Sequence, residues 1–96
     1  MRPSLALKKH RKKVMDILSA SCAMNPRVFG SVAKGEDSEA SDLDLLIDLK
    51  PNTSLFDLAG LQIELEEALK IKVDIMTSGG IPMIIREEVL ASARPL

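Results

Sequence analysis

Gly30-Ser31-Val32-Ala33-Lys34-Gly35-Glu36-Asp37-Ser38-Glu39-Ala40-Ser41-Asp42-Leu43-Asp44-Leu45-Leu46-Ile47-Asp48 decides how this chain folds. It opens with a Gly-Ser pair just after the apolar Val28-Phe29 and ends in an apolar run entered through Ser-Asp-Leu-Asp. In that run Leu43, Leu45, Ile47 and Leu49 alternate with Asp42, Asp44, Leu46 and Asp48, a period of two that predicts a strand over 43–49. Val32 to Lys34 predicts one helical turn stopped by Gly35. From Glu36 to Ser41 only Ala40 is not polar, which predicts a solvent loop. The first half suits a phosphate group and the second a divalent cation. Side by side they point to a nucleoside triphosphate.

Working outward, Met1 to Leu7 reads as a short lead and Lys8 to Ser21 as a helix, with Val14, Ile17 and Leu18 at helical spacing. Asn25-Pro26 is a breaker, so Arg27-Val28-Phe29 reads as a short first strand. Downstream, Ser54 and Asp57 form a helix-start signal of the capping-box kind, with Asp in place of Glu. The helix should run from Leu55 to about Lys70, with Leu58, Leu61, Leu65 and Leu69 as its apolar stripe. Lys72 to Thr77 predicts a third strand, Gly79-Gly80 a break, Pro82 to Ala91 a last helix, and Arg94-Pro95-Leu96 a tail. The fold class is α/β (α+β), in the order helix, strand, short helix, strand, helix, strand, helix. A strand-helix-strand unit makes the second and third strands parallel, and the first and second should be antiparallel. The result is a small mixed sheet with helices packed on it.

Ninety-six residues, 46% hydrophobic, predict a single domain over 1–96. Phe29 and Phe56 are the only aromatic residues, so the core must be aliphatic and bases have almost nothing to stack on. With a net charge of −1, direct nucleic-acid binding is not expected. A lone cysteine, Cys22, suggests a reducing compartment, and no apolar run is long enough to span a bilayer. The expected location is cytoplasmic, with no membrane partner.

Asp42 and Asp44 share a strand face, with Cα atoms ~7 Å apart, and can converge on a hard cation. Asp74 lies near the start of the third strand. If that strand runs parallel to the second, Asp74 reaches the same cation. Singly, each acid is an ordinary surface residue; together they would repel one another without a cation. Asp48 shares the face but lies near a turn, so its role is structural or solvated. Gly30 permits close backbone approach, and Ser31 opens a helical turn whose free N–H groups attract anions. Lys34 could add charge near a phosphate or could simply be solvated. The basic run Lys8 to Lys13 reads as a solvated helix face, and His10 within it has no candidate partner. Cys22, Met76 and Met83 read as core.

Taken together, Gly30-Ser31, Ser41-Asp42-Leu43-Asp44 and Val73-Asp74-Ile75 resemble the nucleotidyltransferase superfamily that includes the palm of DNA polymerase beta. The spacing is similar to that of the minimal nucleotidyltransferases (MNT), the small antitoxin partners of HEPN-domain toxins. The resemblance implies that fold, with Asp42, Asp44 and Asp74 as catalytic residues binding two magnesium ions. Gly30, Ser31 and Lys34 would be the nucleotide-binding residues. It also implies attack of a hydroxyl on the α-phosphorus of ATP and expulsion of pyrophosphate. In the family the acceptor is a toxin tyrosine and the group moved is AMP. Family members often carry arginine where this chain has Lys34; lysine keeps the charge and loses the bidentate fork.

Two readings follow. One is an enzyme, the antitoxin of a type VII-like HEPN/MNT pair, that silences its partner by AMP transfer within a hetero-oligomer. The other is a catalytically weak or inactive domain that neutralises its partner by binding alone. In either case an exposed apolar patch should dock the partner, with Leu90 and the Arg94-Pro95-Leu96 tail as candidates.

Overall fold

The alternating stretch forms a strand with the expected limits, β2 over Leu43–Leu49, in a computed structural model that describes residues 1–96. Ahead of β2 come α1 (Pro3–Lys9), α2 (Arg11–Ser19), β1 (Ala23–Phe29) and α3 (Gly30–Lys34). After it come α4 (Leu55–Leu69), β3 (Val73–Thr77), a 3₁₀ turn (Ser78–Gly80), α5 (Met83–Ser92) and β4 (Arg94–Pro95). The sheet order is β3-β2-β1-β4. β1 runs antiparallel to β2 and β4, and β2 runs parallel to β3.

β2 is central and is covered on both faces. Leu43, Leu45 and Ile47 join Val28 and Val73 in one aliphatic cluster with Val14, Ile17 and Leu18 of α2 and Leu61, Leu65 and Leu69 of α4. Leu46 points the other way, into a small cluster with Ile81 and Val89, against which Phe29, Met76 and Ala93 pack. Leu65 has no exposed surface, so its truncation to alanine should cost ~2–5 kcal/mol. By the period of two, Asp42, Asp44 and Asp48 lie on the Leu46 side of the sheet.

α4 is fixed at both ends by local chemistry. The Ser54 hydroxyl accepts from the Asp57 amide at 3.3 Å, and the Asp57 carboxylate accepts from the Ser54 amide at 2.9 Å. Lys70 ends the helix in the left-handed conformation, φ 59°. This cap and the apolar stripe were both readable from spacing.

Five details differ from the sequence expectation. The single helix over 8–21 is two helices, and the lead belongs to the first: Pro3 opens α1, and Ala6 and Leu7 are buried. β1 does not begin after Asn25-Pro26 but passes through it. Asn25 takes φ 50°, and the register shifts between Met24 and Arg27, so the pair forms a bulge. Proline needs no donor at such a position. The terminal Arg94-Pro95 pairs with Val28 and Arg27 as β4, and the Leu96 amide donates to the Pro26 carbonyl at 3.2 Å. Met83 is 91% exposed and fills no core. Asp37, placed in a solvent loop, is buried.

No helix is long and apolar enough to cross a membrane.

Candidate active site

The parallel pairing of β2 with β3 sets Asp44 beside Asp74 as Cα partners. On its other side Asp44 is the partner of Phe29 in β1. α4 ties down the start of β3: Gln62 Nε2 donates to the Val73 carbonyl, and the Val73 amide donates to Glu66, each at 2.9 Å. Asp74, the next residue, is exposed on a strand at the sheet edge. Asp42 precedes the first paired residue, and its carboxylate lies 3.8 Å from the Lys72 ammonium.

The three acids feel one another. Asp44's pKa is raised from 3.8 to about 6, by burial first, then by the charge of Asp74, then by that of Asp42. Two like charges near a half-buried carboxylate favour its protonated form. A cation bound at this edge would reverse that bias. The oxygen-only donor set suits a hard ion such as magnesium, which needs few protein ligands because it keeps water and substrate oxygens. The acids stand as neighbours around the strand pair. They are not gathered into a ready-made cage, as no three His, Cys, Asp or Glu side chains meet as a metal-holding group.

Gly30 joins the phosphate-turn candidate to these acids. It takes φ +67°, and a Cβ there would run into the Asp44 carboxylate. Only glycine combines that backbone conformation with room for Asp44. Ser31 follows in the first turn of α3, and its carbonyl accepts from the Glu36 amide at 2.9 Å beyond the left-handed Gly35. A cleft of about 170 Å³ opens beside Gly30, between Phe29 and Lys34 on one side and Ile85, Glu88, Val89 and Ser92 of α5 on the other. Pockets that enclose a small molecule hold roughly 300–1,000 Å³, so a nucleotide here would lie largely on the surface. None of the three acids lines this cleft, and none lines the larger open depressions of about 380 and 440 Å³ elsewhere; Gly30 is the cleft's link to Asp44.

The structure thus brings Gly30, Asp44 and Asp74 together, with Asp42 alongside. Lys34 is engaged elsewhere: its ammonium lies 3.3 Å from Glu88 of α5, on the surface. Asp48 is held by Arg27 at 3.1 Å, by Asn25 at 3.4 Å and by the Ser78 hydroxyl, so it ties β2 to β1 and the 3₁₀ turn. Of the docking candidates, Leu90 is 42% exposed, but Arg94 and Pro95 are committed to β1 and Leu96 packs on the core. Phe56, Met83 and Ile84 are far more exposed than Leu90. Sequence reading passed over Asp37, the only buried charged side chain. The available signal was faint, a carboxylate in the linker and a proline-opened helix whose first N–H needs an acceptor.

Residues 7–94 match the family model described as a nucleotidyltransferase domain. A candidate protein adenylyltransferase of Methanocaldococcus jannaschii is 35% identical over 83 residues, which is 86% of this chain and 89% of that protein. The protein adenylyltransferase MntA of Thermococcus cleftensis is 36% identical over 63 residues, 66% of this chain and 64% of that one. Among solved structures, a candidate minimal nucleotidyltransferase superposes with a TM-score of 0.84 at 41% identity, over 97% of this chain and 95% of that one. A toxin-antitoxin complex crystallised with AMP-PNP gives a TM-score of 0.74 at 19% identity, over 88% of this chain and 69% of that one. At that identity the likeness is one of fold.

Proposed function

The chain belongs to the nucleotidyltransferase domain family and is a nucleotidyltransferase, and from that premise we propose that it moves AMP from ATP to a tyrosine hydroxyl of a HEPN-type toxin. It would act as the antitoxin of a cytoplasmic hetero-oligomeric pair, as a single domain over 1–96. The lateral pairing of Asp44 with Asp74 beside Gly30 carries this reading.

Asp42, Asp44 and Asp74 would hold magnesium, two ions in the full site, which supplies positive charge for the triphosphate and for the departing pyrophosphate. Gly30 keeps the turn close to Asp44, and the Ser31 hydroxyl and the turn's amides donate to phosphate oxygens. Lys34 would join them only by leaving Glu88. Asp74 lies on the edge strand, exposed to an incoming side chain. It takes the proton of the tyrosine hydroxyl as the new O–P bond to the α-phosphorus forms and the bond to pyrophosphate breaks. The relatives named as protein adenylyltransferases support a protein as the acceptor. The toxin-antitoxin neighbour supports the partner class only at the level of shared fold.

Neutralisation by contact alone is the second reading. The Lys72–Asp42 contact favours it, since an exposed ammonium 3.8 Å from that carboxylate would compete with a metal for it. Incubation with the partner, magnesium and ATP labelled on the α-phosphate separates the two. Label on the partner that disappears with a chelator and with Asp42→Asn supports the enzyme. Neutralisation that survives Asp42→Asn, without label, overturns it.

A further inference from the structure

Asp37 is the one charged side chain that the fold buries, and it lies midway along the linker between the Gly30-Ser31 turn and Asp42. The residues around it, Glu36 and Ser38 to Ala40, are exposed. Its carboxylate accepts from the Ser4 backbone amide at 2.9 Å. That amide is special in α1. The N-cap residue, Arg2, makes no side-chain cap, and Pro3 carries no N–H, so Ser4 presents the first unsatisfied donor of the helix. A carboxylate 33 positions away supplies the missing cap.

Burial alone would raise the Asp37 pKa. The Ser4 amide and hydroxyl, its own backbone amide and the charge of Arg2 outweigh that and hold it below the ordinary value. Carboxylates near helix N-termini are favoured in this way. The rest of the linker is closed on itself. The Ser38 amide donates to the Ser41 hydroxyl at 2.9 Å, the Ser41 amide to the Ser38 carbonyl at 3.0 Å, and the Glu36 amide to the Ser31 carbonyl at 2.9 Å. Each end is therefore a hydrogen-bonded turn, and Asp37 is the buried point at which the linker is fastened to the body of the protein; its other tie, from Glu39 to the Met1 ammonium at 2.9 Å, is an exposed ion pair.

We propose that Asp37 is a positioning residue for AMP transfer, pinning the linker to the N-terminal end of α1 so that the Ser31 turn and Asp42 keep a fixed separation. The proposal rests on the transfer reading above for its kinetic consequence and on geometry alone for its structural one. Displacement of reacting groups by about 1 Å can cost on the order of a hundredfold in rate. A loosened linker that still samples the productive arrangement should lose about tenfold.

The test compares wild type, Asp37→Ala and Asp37→Asn well below their melting temperatures, by kcat and KM for ATP and by amide hydrogen exchange over 36–41. Asp37→Ala should exchange faster at Ser38 and Ser41 and lose about tenfold in kcat, while Asp37→Asn, which keeps an acceptor for the Ser4 amide and loses the charge, should lose only a few-fold and exchange at an intermediate rate. A folded Asp37→Ala with a lowered melting temperature but wild-type kcat and linker exchange overturns the proposal, because Asp37 is then only a stabilising cap. If Asp37→Ala does not fold, Asp37→Asn decides: a few-fold fall in kcat with faster exchange supports the anchor, and wild-type values in both sink it. A wild-type protein that transfers no AMP removes the functional reading alone. The anchor is then judged by magnesium-ATP affinity and linker exchange in the same variants, and wild-type values for Asp37→Ala overturn it.

Discussion

Asp44 of β2 and Asp74 of β3 are direct partners across a parallel strand pair, so two carboxylates occupy adjacent positions on one sheet face. Nothing in folding favours that arrangement by itself. The sheet accepts it because the aliphatic residues that alternate with the acids, Leu43, Leu45 and Val73, are fully buried on the opposite side. The core thus holds the acids in a repulsive relationship that a divalent cation would relieve.

Neutralising these acids should separate activity from stability. Asp42→Asn and Asp44→Asn should each reduce AMP transfer by about a hundredfold or more, with an unchanged or raised urea midpoint for Asp44→Asn. Asp74→Asn should reduce the rate as well. Rate measurements with labelled ATP and parallel urea titrations check this, and full activity in Asp44→Asn would contradict the site.

The raised pKa of Asp44 gives a signed pH dependence. Its ordinary value is 3.8, and in the fold it reaches about 6. Between the two the folded state binds more protons than the unfolded, so the Asp44 contribution to stability falls as pH rises through this window and levels off above it. Asp44→Asn should therefore be more stable relative to wild type at pH 7.5 than at pH 4.5. Urea midpoints at the two pH values, without metal or nucleotide, measure the difference. Asp37 works in the opposite sense: its lowered pKa gives stability that is present above the ordinary value and is lost as pH falls through the folded one.

Gly30→Ala should be costly although it adds one methyl group. The position has φ +67°, and the new Cβ would overlap the Asp44 carboxylate. A left-handed non-glycine residue costs about 1–2 kcal/mol, and displacement of Asp44 should lower the transfer rate as well. A melting temperature and a rate both equal to wild type would show that the turn is not held as described.

Ser54→Ala is the contrasting case, because it touches stability alone. It removes the hydroxyl that accepts the Asp57 amide at the start of α4 and should cost about 1 kcal/mol. At a temperature where the variant remains folded, kcat should not change. A denaturation curve with a rate measurement in the same buffer decides it.

Legibility in the sequence followed the range of the interactions. Residues 43–49 and the Ser54–Asp57 cap were readable because each is set by neighbours within a few positions. The parallel pairing that puts Asp74 beside Asp44 was readable because a strand-helix-strand unit leaves little choice. Of the five features that escaped, three show why. Asn25-Pro26 looked like a stop, but a bulge in an outer part of the sheet tolerates both a left-handed asparagine and a missing donor. Arg94-Pro95 looked like a tail because two residues carry no period. Asp37 looked solvated because its partner is the backbone amide of Ser4, a group that no side-chain pattern reveals.

The two-residue β4 has an effect out of proportion to its length. By lying along Arg27 and Val28 it makes the outer strand on that side only two residues long, and β3 is left as the longer open rim of the sheet. Open rims are where foreign chains add themselves by main-chain pairing. An intruder on β3 would settle alongside Asp74, so self-association of this protein along that strand and access to its acids compete for the same strip of surface.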